Sequence, residues 1–228
     1  MTLWKWLLFL AMFPRLSQKA EQSKDLNFEE KFSVLQTECK AFFARLNIEY
    51  VCIHPEHVPH HEAIYFVSNH QGTFDPVLLM ACAPKPHSFI SKVENLKLPI
   101  VGKWGRLIEF ITFQRDDFDQ NVSMLRQATR FLKEGKSLLV FPEGTRSKGS
   151  TLLPFKEGAL LPAYLARVSV IPVTQMYAYH LDHAQKLTKT LKVIYGEKID
   201  YESFKSMSYL EFSQQLKTII QKNMDVYA

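Results

Sequence analysis

Short apolar strand patterns alternating with amphipathic helical ones predict a single α/β layered domain, its mostly parallel central sheet flanked by helices. Two further observations agree. At 228 residues the chain is long enough to bury a core without disulfides or metals. Its two most conspicuous polar loops each follow an apolar strand directly, where open α/β sheets collect their ligands. The composition, 46% hydrophobic and 22% charged, excludes disordered, collagen-like and multi-span membrane chains.

Residues 1–47 read as an N-terminal segment ahead of the α/β region at 48–228. An apolar run from Trp6 to Phe13 is closed by Pro14 and Arg15. About a dozen helical residues rising ~1.5 Å each fall far short of a ~30 Å hydrocarbon core, so the run does not span a bilayer. Trp4 and Trp6 suit the headgroup level, and Lys5, Arg15 and Lys19 suit anionic lipid, which predicts an amphipathic helix lying on a membrane surface. Packing on the core is the alternative. A secretory signal fits less well, since the n-region has one lysine and no A-x-A-like site follows.

Ser23 to Leu46 is helical by pattern, with Phe28, Phe32, Leu35, Cys39, Phe42 and Leu46 on one face. That stripe packs on the core, or else Phe42 and Phe43 join the N-terminal segment at the membrane. Strand-like runs follow at 48–53, 63–68, 88–91, 110–113, 137–141, 168–173 and 191–195. Asp119–Lys133 and Tyr209–Asn223 are the clearest helices between and after them.

The first polar loop, Ser68-Asn69-His70-Gln71-Gly72-Thr73-Phe74-Asp75-Pro76, joins a strand to a helix. Asp75 before Pro76 is a helix-start signature, with one carboxylate oxygen expected on the first-turn amides. Gly72 permits the loop to fold back, so that His70 can reach the other oxygen. A carboxylate that fixes the imidazole tautomer makes a general base. The second loop, Phe141-Pro142-Glu143-Gly144-Thr145-Arg146-Ser147, combines a close-approach glycine, two hydroxyls and a guanidinium fork suited to phosphate.

The net charge of +5 is concentrated: residues 1–20 carry +3 and residues 85–115 carry +4, leaving about −2 elsewhere. Such a distribution suits an anionic partner, a membrane surface or a phosphorylated substrate; the absence of any recognised binding motif argues against nucleic acid. GxGxxG, GxSxG and GxxxxGK[ST] are all missing. Cys39, Cys52 and Cys82 are odd in number and never form CxxC, so neither a disulfide framework nor a zinc knuckle is expected, and a reducing cytosol fits best. His54, His57, His60 and His61 crowd HPEHVPHH without a diagnostic metal spacing and read as a polar connection.

NHQGTFD and FPEGTRS resemble the first and third motif blocks of the glycerolipid acyltransferases, specifically the 1-acyl-sn-glycerol-3-phosphate (lysophosphatidic acid) acyltransferases. Lys92-Val93-Glu94 with Pro99 and Gly102 is similar to the second block, which ends here in Gln114-Arg115 where the family has an acidic residue and arginine. Val170-Ile171-Pro172-Val173 resembles the fourth, and Phe155-Lys156-Glu157-Gly158 the basic loop between the third and fourth. The similarity runs over about residues 63–175, in order.

The resemblance implies transfer of a fatty acyl group from acyl-CoA or acyl carrier protein to the free hydroxyl of lysophosphatidic acid, giving phosphatidic acid, with no cofactor and no metal. His70 would be the base and Asp75 its partner, while Glu143, Gly144, Thr145, Arg146, Arg115 and Lys156 would hold the acceptor. The enzyme would sit at the cytoplasmic face of a membrane, peripheral or monotopic. Another lysophospholipid as acceptor, a hydrolase using the same pair, or a noncatalytic module binding anionic lipid are the alternatives.

Overall fold

The computed structural model describes residues 10–114, 117–182 and 189–228. Among these residues seven strands form one sheet: β1 (Tyr50–Ile53), β2 (Ile64–Ser68), β3 (His87–Lys92), β4 (Ile111–Phe113), β5 (Ser137–Val140), β6 (Ser169–Met176) and β7 (Leu191–Tyr195). Their order is β1-β7-β6-β2-β5-β3-β4, and every pair is parallel except β6 with β7. Among the described residues the helices are α1 (Phe13–Gln22), α2 (Phe28–Arg45), α3 (Asp75–Cys82), α4 (Pro99–Leu107), α5 (Phe118–Lys133), α6 (Leu161–Ala166), α7 (Tyr201–Phe204) and α8 (Tyr209–Val226).

β2 shows why the sheet lies in the middle. All five of its residues are buried, as a strand covered on both faces requires. Ile64 and Phe66 enter an apolar cluster with Phe32, Phe42, Leu78 and Leu79 from α2 and α3. Tyr65 and Val67 point the other way, into a cluster with Phe131, Ala163, Phe212 and Leu216 from α5, α6 and α8. Because β2 lies between β5 and β6, with Val67 opposite both Val140 and Pro172, the loops leaving all three strands meet at one edge.

In its described part the N-terminal segment packs on the core, the alternative the sequence left open. Pro14, which ends the apolar run in the sequence, sits in the first turn of α1, where a missing N–H costs nothing. Met12 and Ala20 are buried, Trp104 Nε1 donates to Leu16 O, and the Arg15 fork holds buried Glu38 at 2.8 Å. Residues 12–22 therefore pack on α2 and α4, whereas Trp4, Lys5 and Trp6 lie outside the described residues. Phe42 and Phe43 are core residues, with Phe42 stacked 5.4 Å from Phe74, which removes the reading of α2 as a membrane platform. α2 starts at Phe28, the first residue of the apolar stripe, rather than at Ser23, because Asn27 and Glu30 form a reciprocal capping box. Among the described residues, no helix is long and apolar enough to cross a membrane.

The cysteine expectation is corrected: Cys52 on β1 and Cys82 at the end of α3 are bridged, their Cα atoms 5.6 Å apart, leaving Cys39 free and buried. Spacing could not reveal a pair that meets only once β1 has docked beside the end of α3. Closing a loop whose cysteines stand 30 positions apart, the bridge is expected to contribute about 2–4 kcal/mol. Urea denaturation with and without reductant checks this, with Cys52→Ala expected to be insensitive to the reductant.

His87 opens β3 wholly buried among Phe32, Phe66 and Phe89, with Nδ1 3.3 Å from Lys85 O and Nε2 unpartnered. Burial lowers its pKa to about 4. The unfolded imidazole takes a proton near pH 6.5 and the native one only near 4. Above pH 6.5 the residue is neutral in both states and costs nothing; as pH falls from 6.5 to 4, native stability drops, by about 3 kcal/mol in full. His87→Leu should flatten that part of a stability–pH curve.

Candidate active site

β2 ends at Ser68, and the side-chain amide of the next residue, Asn69, extends the ladder onto β6: Oδ1 accepts from Gln175 N at 2.7 Å and Nδ2 donates to Gln175 O at 3.0 Å. The next residue, His70, is tied to the β5 loop through its backbone. Its N–H donates to Glu143 Oε1 at 2.7 Å, and its carbonyl accepts from Ser147 N at 2.8 Å. Lys148 N donates to Gln71 O at 3.1 Å, so the two loops run together as a short ladder. The imidazole stacks on Phe141, centroids 4.1 Å apart at 17°, and its Nδ1 lies 2.7 Å from Asp75 Oδ2. Phe141 sets the ring plane and Asp75 its rotation. A carboxylate accepts, so the proton sits on Nδ1 and the lone pair on Nε2. With the side chain 19% exposed, that nitrogen is available for chemistry.

Asp75 is fully buried and accepts three donors, His70 Nδ1 and Gln71 N on Oδ2 and Gly72 N on Oδ1. Burial raises its carboxyl above the ordinary range, while His70 and the two amides pull it back. The expected helix cap is not made. Asp75 is itself the first helical residue, behind Phe74 at the cap position. Side chains lean toward a helix's N-terminus, so its carboxylate reaches back into the loop rather than onto its own first turn. Gly72 serves close packing: a Cβ there would lie 3.1 Å from Ala178 O, Asp182 Oδ2 and Tyr179 Cα.

In the β5 loop Glu143 is 1% exposed, and its second oxygen accepts from Leu153 N at 2.9 Å. Both oxygens are thus spent on backbone amides, and burial raises its carboxyl too. It builds the site instead of facing an acceptor, contrary to the substrate-binding role expected of it. Gly144 adopts φ +64, a left-handed turn that brings Thr145 and Arg146 to the surface. Arg146 Nη1 donates to Thr73 Oγ1, setting the guanidinium beside the His70 loop. Lys156 is exposed and donates its N–H to Pro142 O, with its stem alongside Gly144. The structure therefore brings together His70, Asp75, Glu143, Gly144, Thr145, Arg146 and Lys156. Arg115 lies outside the described residues.

The histidine-rich turn is far simpler. His54 Nδ1 lies 3.0 Å from Glu56 Oε1 and Nε2 2.9 Å from Tyr227 OH, while His57 Nδ1 meets Tyr195 O at 3.0 Å. Ligand-type atoms of His54, Glu56 and His57 fall within 4.8 Å of one another, but the two rings are stacked, 4.9 Å and 11° apart. An imidazole binds a metal in its own plane, so one ring would have to turn before both shared an ion. As it stands the turn clasps β1 to the C-terminal helix.

The acyltransferase family model matches residues 50–176, more than half of the chain and all of the loops just described except the turn after β6. The chain belongs to the acyltransferase family. This acyltransferase is 31% identical over 182 residues to a probable 1-acyl-sn-glycerol-3-phosphate acyltransferase of Mycoplasma pneumoniae, covering 76% of this chain and 68% of that one. It is 37% identical over 136 residues to a chloroplast 1-acyl-sn-glycerol-3-phosphate acyltransferase of Arabidopsis thaliana, covering 59% of this chain. The match spans only 36% of that longer relative. In fold, this acyltransferase is similar to the crystal structure of a 1-acyl-sn-glycerophosphate acyltransferase from Thermotoga maritima, with TM-score 0.80, 24% identity, and coverage of 99% of this chain and 93% of that one.

Sequence reasoning overlooked the supports of this acyltransferase site. Asn69 stood inside the first motif but carried no spacing signal, because its partners are the backbone of β6. Asp182 was invisible for a different reason: only the β2–β6 pairing brings its turn to Gly72 and Thr73.

Proposed function

We propose that the chain transfers a fatty acyl group from a thioester donor, acyl-CoA or acyl carrier protein, to the free hydroxyl of lysophosphatidic acid, giving phosphatidic acid. The observation that carries this reading is His70 held by buried Asp75, its Nε2 available, within a loop that also orients Arg146. Nε2 takes the proton of the glycerol hydroxyl as its oxygen attacks the thioester carbonyl. The tetrahedral intermediate collapses, the C–S bond breaks, and the thiolate leaves to receive the proton from the imidazolium. With a thiol pKa near 8.5, the departure asks for little acid assistance. No metal or cofactor enters these steps.

Arg146, Thr145 and Lys156 hold the acceptor phosphate, with Arg115 adding charge, and Glu143 and Gly144 shape the loop. The names of the Mycoplasma and Arabidopsis relatives support this acceptor. A position on the cytoplasmic face of a membrane is supported by the basic stretches 1–20 and 85–115. Exposed Leu98 (50%) and Phe118 (80%), both just after strands that end at the site's edge, add apolar contact for lipid.

The test is transfer of label from radiolabelled acyl-CoA to lysophosphatidate on vesicles, with acyl carrier protein donors and other lysophospholipids as parallel arms. Arg146→Ala is expected to raise the acceptor KM about tenfold or more, the effect of losing a charge-assisted phosphate contact, with the donor KM little changed. An unchanged acceptor KM would remove Arg146 from the phosphate site.

A further inference from the structure

We propose that Asp182, outside the segment matched by the family model, is a positioning residue that clamps the catalytic loop and thereby sets the place of Arg146. This rests on the acyl-transfer reading above. β6 runs parallel to β2, so its carboxyl end delivers the chain to the same edge as the His70 loop. There Tyr177 turns left-handed at φ +69, and the short helical turn Ala178–Asp182 folds back over Gly72. The fit is tight enough that a Cβ on Gly72 would crowd three of the turn's residues at 3.1 Å.

Both oxygens of Asp182 then accept from one donor, the N–H of Thr73, at 3.1 and 2.9 Å. Thr73 is at the same time the residue whose Oγ1 accepts from Arg146 Nη1. Thr73 thus carries an anion on its amide and a cation on its hydroxyl, midway between His70 and Asp75. The His70 loop is held on one side by Glu143, Ser147 and Lys148 and on the other by Asp182. Asp182 touches no reacting atom in this scheme. Its effect reaches the acceptor through Thr73 and Arg146, so it belongs to acceptor affinity rather than to proton transfer.

Asp182→Ala removes both acceptors of the Thr73 N–H. In the full chain it should speed hydrogen exchange of peptides covering residues 71–74. It should also raise the acceptor KM about five- to tenfold, with kcat within about twofold and the donor KM unchanged. Asp182→Glu should recover part of that loss. On an Arg146→Ala background the same change should add less than about twofold, because the arm it acts through is gone. A residue that merely staples the fold would lower the thermal midpoint without this KM pattern and would multiply with Arg146→Ala. Either that multiplication, an unchanged acceptor KM or unchanged exchange at 71–74 overturns the proposal. A wild type that moves no acyl group to any lysophospholipid overturns the acyl-transfer reading instead, and with it the part assigned to Asp182 in acceptor binding.

Discussion

His70→Ala is expected to lower kcat by about 10²–10⁴-fold, the usual contribution of a positioned general base, while the protein stays folded. The ring is partly exposed and packs chiefly on Phe141, so its removal admits water to Asp75 without opening the core. Asp75→Asn should lose less. Oδ2 serves two donors and Oδ1 one, so the asparagine oxygen takes the busier position, keeps His70 Nδ1, and turns its amide toward Gly72 N. The His70 tautomer survives, and what goes is the charge opposite a developing imidazolium. Single-turnover acyl transfer with both variants, beside their thermal midpoints, checks the ranking. Equal losses at intact midpoints would mean that the buried charge, not orientation, is what the reaction requires.

Glu143→Ala carries the second large effect, and of a different kind. Its carboxylate is buried and bonded to the His70 and Leu153 amides, so truncation leaves two N–H groups without partners, at about 1–3 kcal/mol each. Urea denaturation should show a loss of about 2–6 kcal/mol. Steady-state kinetics should show kcat falling with it, because the ladder that presents His70 is loosened. If Glu143 touched the acceptor directly, KM would carry the effect and stability would not move; that result would restore the role its motif suggested.

The seven strands were legible because each is a short apolar run bounded by polar or turn residues, and β7 matches its pattern end to end. The HxxxxD pair stood out because a histidine and a carboxylate share one strand-to-helix junction, and the resemblance of NHQGTFD to an acyltransferase motif block gave the pair its role. What stayed hidden depends on contacts between distant segments. Glu143 sits in a motif of polar residues that all look able to bind a phosphate, and only its burial against His70 N separates it from Arg146. Asp182 and the Cys52–Cys82 bridge needed the strand order before any partner could be named.

The position of β1 at the edge of the sheet has a consequence in time. Its ladder partner is β7, with Tyr50 opposite Leu191 and Ile53 opposite Ile194. On the ribosome those residues emerge about 140 positions apart, roughly 7 to 30 s at 5–20 residues per second. Such a long loop is also slow to close. For that interval β1 has no ladder, and the segment before it is tethered to a growing chain rather than to a finished domain. A lipid surface near the ribosome would meet residues 1–47 before the sheet is closed behind them.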